Sequence, residues 1–159
     1  MRILALTTLL VIAIAPSSMA TTLSWDSISK GPKELGAAVQ RKGPTPTARY
    51  TRIMQPEQAM PLYLIDLNSP DECGAGGCSV EAYVPSGKSY RVVLEILTDG
   101  RLPPPQISND FVSIADVSRE GMPCLDFKSG SGGDTARWCF NGKKYSFSQR
   151  IPANQNKGK

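Results

Sequence analysis

Apolar residues in this chain fall in short runs broken by turn residues, a spacing that predicts strands. MPLYLIDL (60–67) is apolar on both faces and predicts a central strand. SVEAYV (79–84) follows a glycine loop, and Pro85-Ser86-Gly87-Lys88 reads as the turn into SYRVVLEIL (89–97). In that strand Tyr90, Val92, Leu94 and Ile96 alternate against Arg91 and Glu95, and Thr98-Asp99-Gly100 ends it. DFVSIADV (110–117) and PCLDFKS (123–129) are further strands, followed by a flexible link at 130–133. TARWCFNGKKYSFS reads as a hairpin turning at Asn141-Gly142, since both positions tolerate positive φ. A two-residue turn there sets Trp138 across from Tyr145 and Phe140 across from Lys143.

One helix is expected near the start. Pro32 stands at its first position, Leu35, Ala38 and Val39 share a face, and Gly43 stops it. Residues 43–60 read as an extended, proline-rich connection. These elements predict an α+β, mainly β fold: a single antiparallel meander sheet of about five to seven strands, one short N-terminal helix and two local disulfides.

The first twenty residues change the picture of location. Arg2 precedes an apolar run to Pro16, and Ser18-Met19-Ala20 places small residues where a signal peptidase cuts. The run is shorter than the roughly 20 residues of a membrane span. No cysteine follows the cut, which argues against a lipid anchor. The organisation expected is a signal peptide at 1–20, a helix and connection at 21–59, a disulfide-containing β domain at 60–148 and a flexible basic tail at 149–159. The expected location is periplasmic or secreted, with nothing spanning the membrane after cleavage.

Charge is uneven along the chain. Residues 30–52 carry six basic side chains and one acid, 53–139 carry six and twelve, and 140–159 carry five and none. The basic ends suit contact with an anionic polymer. They lack the interleaved aromatics of a nucleic-acid surface, so no nucleic acid is expected.

Histidine is absent, which excludes Ser-His-Asp and Cys-His nucleophile pairs and every imidazole zinc site. All four cysteines lie beyond the signal, and in an exported chain they predict two disulfides. Cys73 and Cys78 enclose four residues, unlike a two-residue redox motif at a helix start, and Cys124 and Cys139, fifteen residues apart, lack the close paired spacing of a four-cysteine metal site. Of the three possible connectivities, Cys73–Cys78 with Cys124–Cys139 fits best, because Gly74, Gly76 and Gly77 let so small a ring close. Asp66, Asn68, Asp71 and Glu72 faintly suggest a calcium loop. Pro70 stands where a third ligand belongs and the central glycine is missing, so a strand end and turn are expected instead. No cofactor and no metal site is expected.

DLN…CGAGGC…VEAYV…YRVVLEI followed by PCLDF…RWCFNGKKYSF resembles small exported bacterial proteins of uncharacterised function. These share a Cys-Gly-x-Gly-Gly-Cys loop and end on a W-x-F-N-G-x-x-Y hairpin. The likeness covers about residues 60–148, implies a β-rich exported fold and brings no activity with it. The early helix and the Cys-x4-Cys loop are also similar, more weakly, to periplasmic lysozyme inhibitors of the Ivy type. That family's loop projects a histidine, whereas Ala75 and Gly76 fill the middle here.

The expectation is a non-enzymatic exported binding module, an inhibitor or an envelope-assembly accessory with a protein partner. Its contact loop would be Asp71, Glu72, Gly74, Ala75, Gly76 and Gly77, closed by Cys73–Cys78. The alternatives are a small carboxylate-dependent hydrolase, which needs two converging acids, and a binder of envelope polymers such as peptidoglycan.

Overall fold

A computed structural model of the chain describes residues 23–40, 47–67, 73–74, 77–98, 111–129 and 133–153. The expected signal peptide (1–20), Gly43, the residues 99–110 and most of the expected link, 130–132, lie outside them. The early apolar stripe forms helix α1, Lys33–Gln40. Pro32 sits just ahead of it, and its carbonyl accepts from Leu35 and Gly36 N–H, each at 3.0 Å. Leu35, Ala38 and Val39 form the buried face, as their spacing predicts.

Among the described residues ten strands follow or flank this helix, all pairing antiparallel in two sheets. The first sheet contains β1 (Asp26–Ser27), β2 (Arg49–Ile53), β3 (Leu62–Asp66), β4 (Cys73–Gly74), β5 (Gly77–Ser86) and β6 (Ser89–Thr98). The second runs β10 (Tyr145–Ile151), β9 (Thr135–Phe140), β8 (Met122–Lys128), β7 (Val112–Arg119). The mainly β, antiparallel character, the one α-helix among the described residues and the two local disulfides are as expected; the single sheet of about five to seven strands is not.

The division into two sheets has a physical cause. Strand β3 and the middle of β5 are buried on both faces, so their sheet is covered on both sides. Tyr63, Ile65 and Tyr83 pack under Leu35, Ala38 and Val39 of the helix. An eight-residue helix covers only that face. The second sheet closes the other, setting Leu125, Phe127 and Phe140 against Leu62, Leu64, Val80 and Ala82. Each such fully buried aliphatic or aromatic side chain contributes roughly 1.5–3 kcal/mol. The layers are thus helix, sheet, sheet.

Four local expectations need correction. First, the predicted connection over 43–60 contains β2, whose Thr51 and Ile53 point inward while Arg52 is exposed. Its mixed RYTRI sequence hides a strand that pairs with β3. Second, the alternation of β6 breaks at a bulge: Leu94 pairs with Ala82 but Val92 with Tyr83, leaving Val93 extra. Val93 and Leu94 both enter the core between the sheets, while Tyr90 crosses to the helix side and meets Tyr63 edge-on at 5.3 Å.

Third, the β9–β10 hairpin turns over four residues. Asn141 Oδ1 accepts from Lys143 and Lys144 N–H at 3.1 and 3.0 Å, and Asn141 N–H donates to the Lys144 carbonyl. This side-chain turn moves the register by two, so Phe140 faces Tyr145 and Trp138 faces Phe147. Fourth, β10 continues to Ile151, where the sequence suggests a tail from 149; Gln149, Arg150 and Ile151 pair with Arg137, Ala136 and Thr135.

Candidate functional site

Cys73-Gly74 of β4 and Gly77-Cys78 of β5 pair antiparallel as the two arms of a hairpin. Cys73 lies directly across from Cys78, with Cα atoms 4.1 Å apart, and Gly74 lies across from Gly77. Gly77 has φ +106°, a conformation that L side chains rarely adopt, so glycine is needed there. Gly74 is exposed, and a Cβ placed on it meets nothing within 4 Å. Ala75, Gly76, Asp71 and Glu72 lie outside the described residues.

The hairpin is rooted firmly. Cys78 is fully buried and is flanked by Cys73 on one side and Thr98 of β6 on the other. Thr98 Oγ1 donates to the Cys78 carbonyl at 3.1 Å. Beside this neck Leu97, across from Ser79, is 61% exposed. Both Thr98 and Leu97 escape sequence reasoning, because only the β5–β6 register brings them to the loop. Neither of the two large core clusters includes Cys73, Gly74 or Gly77.

Asp66, where the chain leaves β3 towards this loop, is buried on the sheet face opposite the helix. Arg49, directly across from it on β2, donates through Nε and Nη2 to Asp66 Oδ2 at 2.9 and 2.7 Å. The Arg49 guanidinium also lies 5.0 Å from the Trp25 ring centre. Asp66 is therefore committed to a cation of the protein. Asn68, Asp71 and Glu72 lie outside the described residues, among which no cluster of metal-ligating side chains occurs.

Cys124 and Cys139 form the second bridge, between neighbouring strands β8 and β9 and buried against Ala115. Two residues along, Arg137 makes a two-pronged pair with Asp126, Nε–Oδ1 and Nη2–Oδ2 both 2.7 Å. Asp116 adds a third charge at 3.7 Å. The hydrogen bonds to Asp126 hold the Arg137 guanidinium above its ordinary pKa. This face is a brace for the second sheet.

Two adjoining cavities of about 550 and 460 Å³ share Gln55 and Pro56 along the β2 side of the molecule. Among the described residues, Asp26 is the one carboxylate lining the first and Glu57 the one lining the second. Among those residues neither cavity brings together the pair of acids that glycoside hydrolysis requires. The buried Glu81 carboxylate instead accepts from Tyr83 OH beneath the helix.

The chain matches no known protein family, no curated protein and no solved structure. Among the described residues no helix is long and apolar enough to cross a membrane.

Proposed function

We propose that this protein is an exported, non-enzymatic binding module of the cell envelope, and that the β4–β5 hairpin is the element it presents to a protein partner. The supporting observation is a disulfide that joins directly opposed residues of the hairpin while serving neither large core cluster. A closed loop of sequence separation 5 restrains little of the unfolded chain, worth about 2 kcal/mol on loop entropy. Its larger effect is to hold the hairpin in one conformation, which lowers the ordering cost of binding. The exposed Leu97 beside the neck supplies apolar area for the same contact.

Export rests on the leader sequence and is consistent with the two bridges. The test is the variant Cys73→Ala/Cys78→Ala. It folds, with a lowered melting temperature, and loses a saturable partner captured from envelope extract by the wild-type protein. Unchanged capture by this variant overturns the assignment of the hairpin.

A further inference from the structure

Opposite the disulfide hairpin, the other end of the β5–β6 ribbon carries a cluster of positive charge. Lys88 occupies the β5–β6 turn, and Arg91 lies across from Val84, six residues or about 20 Å from Cys78 along β5. Arg91 Nη1 donates to the Lys143 carbonyl at 2.6 Å, fixing the β9–β10 loop against β6. Asn141 holds both Lys143 and Lys144 by their backbone N–H groups, so two adjacent lysines are presented from a defined turn.

All four basic side chains belong to exposed residues. Among the described residues, the ion pairs are Lys30–Asp26, Arg49–Asp66, Arg137 with Asp116 and Asp126, and Arg150–Asp134; none includes this cluster. Concentrated like charge without a counter-ion opposes folding and favours an anionic partner. On β10, three residues or about 10 Å beyond Lys144, Phe147 is 54% exposed. An exposed aromatic beside cations suits a surface that offers negative charge and apolar depth together.

We propose that Lys88, Arg91, Lys143, Lys144 and Phe147 form a docking surface for an anionic phospholipid membrane. The lysines and arginine meet phosphate headgroups, and Phe147 enters the interface. The disulfide hairpin, at the far end of the ribbon, then points away from the bilayer. This surface is independent of the hairpin assignment, and either can fail alone.

The experiment is flotation of the mature protein with vesicles of phosphatidylcholine, with and without about 30% phosphatidylglycerol. Binding is expected only to the anionic vesicles, and weakens as salt rises. Lys143→Glu/Lys144→Glu lowers the partition coefficient by about thirtyfold or more. Phe147→Ser lowers it by about tenfold without changing the salt dependence. Lys143→Gln/Lys144→Gln, which adds no repulsion, lies between the wild type and the charge reversal. Absence of binding to anionic vesicles overturns the proposal, as does binding indifferent to both lysine variants. Equal affinity for soluble polyphosphate, together with a neutral Phe147→Ser, also overturns it by identifying a soluble polyanion as the ligand.

Discussion

Asp66 is the most constrained charge among the described residues, with its side chain fully buried and Arg49 16% exposed across the strand pair. Removing one member of such a pair leaves the other buried without compensation. Asp66→Ala is therefore expected to cost about 3 kcal/mol in urea unfolding. The double variant Arg49→Met/Asp66→Leu recovers much of that loss, because no stranded charge remains. A cost below about 1 kcal/mol for the single variant would show the pair to be solvated. Tyr145 gives a second expectation. It donates to the Pro123 carbonyl at 2.8 Å, and burial raises its pKa above the ordinary 10.0. Above pH 10 the unfolded phenol gives up a proton that the native one keeps. Stability is complete below that pH and falls as the pH rises through the folded value. Tyr90, raised to about 12 by burial and then by its hydrogen bond with Tyr63, acts in the same direction. Denaturation midpoints followed from neutral to alkaline pH should fall less steeply for Tyr145→Phe than for the wild type. Identical slopes would place Tyr145 in water.

Among the elements, the two bridges differ in weight. Cys124–Cys139 closes a loop of sequence separation 15 and Cys73–Cys78 one of 5. Loop entropy assigns them about 3 and about 2 kcal/mol. Burial of the former between β8 and β9 adds packing to the difference. Differential scanning calorimetry should show a larger fall in melting temperature for Cys124→Ala/Cys139→Ala than for Cys73→Ala/Cys78→Ala; the reverse order contradicts these roles. The elements also show where sequence stops informing. Strands β3, β5, β8 and β9 are legible because their apolar runs end at turn residues. The Val93 bulge is not, since inserting one residue leaves composition unchanged while reversing the faces of Tyr90 and Val92. The four-residue turn at Asn141 is hidden for a similar reason: its length depends on a side-chain hydrogen bond that Asn-Gly does not announce. The β7–β8 turn places Glu120 as well as Gly121 at positive φ, a choice for which glutamate gives no signal.

Across the whole molecule, the mainly β class and the local disulfides follow from patterning and cysteine spacing. The stacking of two sheets does not, because alternation identifies a buried face without saying what covers it. The candidate site was legible in part: Cys73, Gly74, Gly77 and Cys78 assemble as one hairpin, while Leu97 and Thr98 join only through strand register. The two proposals, a partner at the hairpin and a membrane at the cationic surface, place their ligands at opposite ends of the β5–β6 ribbon.

The hairpin assignment is tested most directly by a photoreactive benzoylphenylalanine placed at Gly74, an exposed position where an added Cβ meets nothing within 4 Å. A second derivative carries the same group at the exposed Met54, beside the cavities on the β2 side. Irradiation in envelope extract should yield one discrete protein adduct from position 74, absent when Cys73→Ala/Cys78→Ala is combined with it. No adduct at 74, or the same adduct only from 54, would contradict the account.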